Sequence, residues 1–334
     1  MRQGITNGIV CLVCAFAIAC GTEDSGPKTA ELAPVSLEAG EEILSICRSR
    51  SLNNDQPIYV QSIHMEATPG FHHSGWFVIK DDGTLGDDCG GQRLDLLTLG
   101  ATGRVLFLQS TQSTDETQTY PQGAGIYIPA HSAVVADLHL INARDTREEL
   151  KTSLRLDTIA EKDVSIRLNA FVFMYTALNV PAKADSEFIG SCDLHEAQGS
   201  PINSNVYFAS SHYHYLGTGA TLKVMGGAHD GAMIFDGHGR VGEPWGTAID
   251  PAMPLTGANG LTFSCSYHNE RDTAVPWGNR SVDEMCAVGG YSDSEFNWVG
   301  VVDRDEPMEP AASGDGVVRR HGNCKLFALP PQNW

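Results

Sequence analysis

The stretch GFHHSGW, residues 70–76, sets two imidazoles side by side. Strand side chains alternate between faces, so His72 and His73 would ordinarily point opposite ways. Both can serve one metal where the strand is irregular, and TPG at 68–70 supplies an irregularity just before them. A second stretch, ASSHYHYLGTG at 209–219, places His212 and His214 two apart and so on one strand face, with Tyr213 and Tyr215 on the other. A third, SVDEMCAVGGY at 281–291, sets Met285 beside Cys286. A thioether is a soft ligand suited to Cu(I) rather than to zinc or magnesium. Each signal is weak alone, since H-x-H pairs recur by chance and methionine most often fills cores. Zinc hydrolysis has little support, because no H-E-x-x-H occurs and methionine is a poor zinc ligand.

The elements that must position these residues read as short strands. PIYVQSIHM, GRVLFLQS, AGIYIPAHSAVVADLHLI, VSIRLNAFVFMYTAL, SNVYFASSHYHYL and AMIFDG are rich in β-branched and aromatic residues, and Gly, Pro, Asn and Asp separate them. Many short strands with turn signals point to β-sandwiches or barrels. Only RDTREELKTSL, 144–154, suggests a helical turn or two. No internal repeat is found. The Pro-bearing NVPAKADSE at 179–187 interrupts the strands near the middle and predicts a domain junction there.

The N-terminus predicts export. MRQGITNGIVCLVCAFAIAC has one basic residue, an apolar run from Ile9 to Ala19 and a small-residue ending, the pattern of a signal peptide over 1–19. The run is too short to cross a bilayer. AIAC followed by Gly21 resembles a bacterial lipobox, which would make Cys20 a lipidated first residue. The acidic, Pro- and Gly-bearing GTEDSGPKTAELAPVSLEAG that follows predicts a flexible tether over 20–39. Six cysteines remain: Cys47, Cys89, Cys192, Cys265, Cys286 and Cys324. In an exported protein that set reads as three disulfides, for which spacing allows fifteen connectivities. The formal net charge of −19 argues against nucleic acid or an anionic membrane surface as partner.

Together the metal-type residues resemble one family, the type II copper, ascorbate-dependent monooxygenases that include the peptidylglycine and dopamine hydroxylases. Its members bind one copper through an adjacent His-His pair and a distant histidine, and a second through an H-x-H pair and the methionine of a DEMC motif. His72 and His73 match the first pair, His212 and His214 the second, and Met285 lies in DEMC at 283–286. His139 in VVADLHLINA matches the distant histidine. The resemblance runs from about Cys47 to Tyr291. It implies an all-β fold of two antiparallel jelly-roll sandwiches, 40–182 and 183–334, side by side, with the coppers facing each other across a large, solvent-filled cleft. It also implies the pairings Cys47–Cys89, Cys265–Cys286 and Cys192–Cys324. His64, His131, His195, His229, His238, His268 and His321 read as packed or solvated side chains.

The resemblance further implies that Met285, His212 and His214 form the catalytic site, where O2 is reduced beside the substrate, while the His72/His73/His139 copper stores an electron. Two copper ions per chain and ascorbate or another one-electron donor are the expected cofactors. A small-molecule substrate and O2 are the expected partners, and a lipid anchor the expected membrane link of a monomer. The peptide-hydroxylating members hold a carboxylate with an arginine two residues before H-x-H and with Asn and Tyr just after DEMC. Here Ser210, Ala287 and Gly289 stand at those places, so a peptidyl-glycine substrate is not expected. The AVGG run suggests room beside the second copper for a bulkier or less polar molecule. The alternative to an enzyme is a copper-binding lipoprotein that carries or senses the metal; a β-sandwich binding module without copper stands further off.

Overall fold

The computed structural model describes residues 26–91, 104–110, 112–238, 246–303, 306–307 and 315–333. The expected signal peptide, Cys20 and the start of the expected tether lie outside the described residues. Strands dominate the chain, as their β-branched and aromatic content predicts. A four-stranded sheet runs in the order Glu42–Ser51, Ser132–Ile141, Phe71–Lys80, Arg104–Leu108. It encloses one apolar core against the strands Ile58–Ala67, Ala124–Ile128 and Thr152–Ile159. A six-stranded sheet containing Ala184–Cys192, Gly217–Met225 and Gly260–Asn269 encloses a second core against Asn205–Tyr213, Cys286–Ser292 and Asn297–Val302.

The outer layers of both sandwiches belong to one eleven-stranded sheet. Its pivot is Ile166–Tyr175, which pairs with Ala124–Ile128 of the first half and with Cys286–Ser292 and Asn297–Val302 of the second. Side-chain alternation divides this strand between the cores. Ala170, Val172 and Met174 pack in the first, Phe171, Phe173 and Tyr175 in the second. The junction expected at 179–187 spans the short strand Asn179–Val180, a turn and the start of Ala184–Cys192, yet the two sandwiches are continuous through the hydrogen bonds of Ile166–Tyr175. The pairing is mixed rather than wholly antiparallel: Ile166–Tyr175 runs parallel to two of its partners, and Ala184–Cys192 runs parallel to Val318–Asn323.

Two local expectations are corrected. Residues 144–154 form no helix, but contribute to strands Glu148–Leu150 and Thr152–Ile159. Leu150 and Leu154, four apart, suit a helix face and a strand face equally; the buried Thr152 and Leu156 complete a period of two. Within the expected tether, Lys28–Glu31 pairs with Thr152–Ile159 and Val35–Leu37 with Glu148–Leu150. Ala30, Leu32, Val35 and Leu37 are buried there. Four apolar side chains among acidic neighbours suffice for two edge strands, so the chain is fixed from Lys28 onward.

All three disulfides are present with the expected partners: Cys47–Cys89, Cys192–Cys324 and Cys265–Cys286. The last joins Gly260–Asn269 to the first residue of Cys286–Ser292, pinning the end of the DEMC segment to the sheet behind it.

Candidate metal centre

The paired histidines owe their common direction to a bulge. Across Phe71–Lys80 and Ser132–Ile141, Phe71 faces Leu140 while His73 faces His139, so His72 is one extra residue in its strand. Gly70, at φ +107°, begins the irregularity, and its carbonyl accepts the Ile141 N–H at 2.8 Å. An added Cβ would lie 3.0 Å from the Ile141 oxygen, which with the φ leaves glycine as the fitting residue. The bulge turns His72 to the same side as His73. Their Nδ1 atoms lie 2.9 Å apart, and the Gln112 amide nitrogen lies 2.9 Å from His72 Nε2. An amide N–H donating there leaves His72 Nδ1–H to donate to His73.

His139 sits opposite His73 in register, and its Nε2–H donates to Glu42 Oε1 at 2.9 Å. That bond fixes the tautomer and leaves Nδ1, buried and without a hydrogen-bond partner, free to ligate. The same Glu42 oxygen accepts the Ser281 N–H at 2.9 Å, tying the first sheet to the segment that leads into DEMC. Burial pushes the Glu42 carboxyl up, but the bonds from Ser281 and His139 outweigh it, and the group lies below the ordinary carboxylate range.

His212 lies near the end of Asn205–Tyr213, and His214 just beyond it. DEMC holds that end in place through Asp283, Glu284 and Cys286. The Asp283 carbonyl accepts His214 Nδ1–H at 3.0 Å, and the Asp283 carboxylate pairs with Arg280 at 2.7 and 2.9 Å. The buried Glu284 carboxylate accepts the N–H groups of His214 at 3.0 Å and Leu216 at 2.7 Å. Burial pushes the Glu284 carboxyl up to about 7. Met285 lines the cavity described below, and Cys286 is locked to Cys265. His214 Nε2 and both His212 ring nitrogens lack hydrogen-bond partners, although the Gln109 and Ser110 carbonyls lie beside the His212 ring.

The structure unites the two histidine sets rather than holding them apart. The ligating nitrogens of His72, His73 and His139 lie within 4.8 Å of one another, and so do those of His73, His212 and His214. His73 belongs to both groups. Ring centroids are 4.8 Å apart for His73 and His212, and 5.0 Å for His72 and His214. The expectation of two sites facing across open water is corrected accordingly. Burial, reinforced by the neighbouring rings, keeps the imidazoles neutral: His72 is driven to about 2, His212 to about 3, His214 to about 4, and His73 well below its ordinary value. Burial lowers His139 too, partly offset by Glu42. Neutral, closely spaced and partly orphaned imidazoles are the state in which histidine binds metal.

The cleft between the halves is present as a cavity of about 140 Å³ beside this cluster. Both halves wall it. His73, His139, His212 and Met285 stand along one part, and Phe77, Val105, Leu108, Val172, Trp277 and Val299 along the rest. Its room next to His212 comes from Ala287, whereas Gly290 of the AVGG run is closely packed. An added Cβ on Gly290 would lie 2.1 Å from the Phe208 carbonyl oxygen and 2.5 Å from the Phe171 ring.

Sequence reasoning missed Glu42, Gln112 and Glu284. Glu284 was within reach as the acidic partner of Met285 in DEMC; Glu42, 97 residues from His139, carries no local signal. Of the remaining described histidines, His64 bonds Asp115 at 3.1 Å, and His268 bonds Asp185 at 2.6 Å on the surface. His64, Glu66 and Asp115 also approach one another closely enough to share an ion, but on an exposed face.

No family model matches the chain, and no curated protein does. Among solved structures, the major capsid protein P2 of bacteriophage PM2 aligns over 80% of this chain and 97% of its own, at 10% identity and a TM-score of 0.33. The glycosylasparaginase PNGase F of Flavobacterium meningosepticum aligns over 78% and 97%, at 10% identity and a TM-score of 0.27. Neither likeness reaches beyond a general β architecture.

Proposed function

We propose that this chain is a copper-dependent monooxygenase that hydroxylates a C–H bond with O2 and ascorbate or another one-electron donor. The observation that carries the reading is the five-imidazole cluster, its buried orphan nitrogens at His139, His212 and His214, and a methionine thioether on the wall of the same cavity. Imidazole with thioether is a donor set for copper that visits the reduced state, and a poor one for magnesium or calcium. His72, His73 and His139 would hold one ion, and His212, His214 and Met285 another. Bound copper supplies electron transfer and the reduction of dioxygen.

The protein's own part is to place and isolate. Glu42 and the Asp283 carbonyl fix the tautomers of His139 and His214. The cavity keeps substrate beside the ligands and bulk water away. In the overall change one C–H hydrogen is replaced by hydroxyl, the second oxygen atom leaves as water, and the donor supplies two electrons while two protons come from solvent. Three disulfides suit an oxidising compartment, in keeping with an exported monomer anchored through Cys20. No turnover is expected on glycine-extended peptides, and detection of amidated product would overturn that point.

The test is anaerobic Cu(I) loading of the mature protein, followed by oxygen uptake with ascorbate. Two coppers per chain and uptake lost in Met285→Ile support an enzyme. Two coppers with no uptake in the wild type favour a carrier, for which the contact of the two histidine sets in one buried cluster is the favouring observation.

A further inference from the structure

We propose that the cavity beside the histidine cluster binds a small, uncharged, largely hydrocarbon molecule, a single ring or a chain of comparable size, as the substrate. This rests on the monooxygenase reading and adds to it the chemical class of what is hydroxylated.

Size comes first. The cavity holds about 140 Å³, close to the ~150 Å³ of an engineered apolar protein cavity that takes up benzene. A peptide or a second aromatic ring would have to extend through the mouth, where Leu44 is 42% exposed. The lining decides the charge. Among the described residues it contains no lysine or arginine, so no side chain there can pair with a carboxylate, sulfate or phosphate. Its one carboxylate, Asp137, already accepts the Ser45 hydroxyl at 2.6 Å. Gln109 is committed on both sides, accepting from Ser74 Oγ at 3.1 Å and donating to the Ser113 carbonyl at 2.6 Å. Outside the imidazoles and Asn279, the polar side chains of the lining are thus engaged, and the rest of the wall is aliphatic and aromatic. An anion would lose its hydration without gaining a cationic side chain, and a cation would find at most the Asp137 carboxylate.

Position completes the argument. Ala287 is the register partner of both His212 and Met174, so its small side chain opens the space directly beside a candidate ligand. A molecule seated there has its C–H bonds next to His212 and Met285, where the reaction written above would take place.

The experiment uses toluene, benzoate and benzylammonium, matched in size and differing in charge, titrated calorimetrically into the mature protein. Copper content is measured on the same samples. Toluene should bind at least about a hundredfold more tightly than either ion, since burying an unpaired charge costs several kcal/mol. Ala287→Phe should abolish toluene binding by filling the space. Leu108→Phe, from the opposite half, should weaken it at least about tenfold, and keeps the test decisive should the first variant fail to fold. Benzoate or benzylammonium binding as well as toluene would overturn the proposal. So would copper-loaded protein that takes up none of the three, which leaves the copper reading intact. Toluene bound selectively by protein that retains no copper would support the cavity and overturn the copper reading instead.

Discussion

The two halves present their histidines by different means. In the first, His72, His73 and His139 stand within one four-stranded sheet, and a bulge together with direct cross-strand pairing brings the rings together. Their remaining contacts are side chains, Gln112 and Glu42. In the second, His212 and His214 lie where a strand runs out, and what steadies them is largely another segment, DEMC, through a carbonyl, a buried carboxylate and a disulfide. Sheet register is distributed over many hydrogen bonds, whereas a braced strand end depends on a few. The second set should therefore be the easier to break, and the first the easier to tune.

The largest effect is expected at Met285. Met285→Ile removes the thioether from the cavity wall and keeps a similar volume. Oxygen uptake with ascorbate should fall about a thousandfold, a loss on the scale of the several kcal/mol a metal centre supplies. Copper held by the five imidazoles should remain. Equal uptake in variant and wild type would make the methionine part of the packing and the cluster a histidine-only site.

Next comes the brace itself. Replacing Cys265 and Cys286 together by alanine removes the link that anchors DEMC, and stability in a denaturant titration should drop by about 2–4 kcal/mol. Removing Cys47–Cys89 should cost stability too, yet leave copper binding to His212 and His214 unchanged. If both deletions release copper equally, the asymmetry between the halves is wrong.

A smaller, pH-dependent effect tests the loop that touches both sets. Glu116, buried, accepts the Ser110 N–H at 3.0 Å and the Gln118 amide at 2.9 Å. It thereby braces the segment whose Gln109 and Ser110 carbonyls flank His212 and whose Gln112 meets His72. Burial pushes its carboxyl up to about 7. The folded state then keeps this proton up to about pH 7, while the unfolded chain loses it near 4.5. Stability from this group is present in full below the lower value and is lost as pH rises to the upper one. The difference in unfolding free energy between wild type and Glu116→Gln should shift against the wild type by about 2–3 kcal/mol from pH 4.5 to 7.5. A difference that stays flat with pH would mean that water reaches the carboxylate.

How much of this was legible depends on the range of the interaction. Strand runs, the His-His and H-x-H pairs and DEMC are contiguous, and a resemblance carried by contiguous residues placed His139 and the disulfide partners as well. An irregularity at TPG, 68–70, was expected from the sequence; that it takes the form of a bulge at His72 was not. The edge strands at 28–31 and 35–37 were hidden because acidic composition spoke for solvent while alternate apolar side chains spoke for pairing. The sharing of Ile166–Tyr175 between two cores was hidden for another reason: a strand apolar on both faces looks the same whether it sits in one core or between two. The meeting of the two histidine sets follows from how the halves dock, and no short segment encodes it.

Glu42 is where that docking can be tested most closely. It holds His139 and Ser281 through one carboxylate oxygen, and so joins a histidine of the first set to the segment that carries the brace of the second. In Glu42→Ala, His139 loses the acceptor that fixes its tautomer, and copper affinity should fall about 10–100-fold in a competition titration. Glu42→Gln keeps an acceptor oxygen and should recover most of the loss. If the alanine variant binds copper as tightly as wild type, sheet register alone orients His139. If the glutamine variant is as weak as the alanine, the negative charge rather than the hydrogen bond makes the imidazole a ligand.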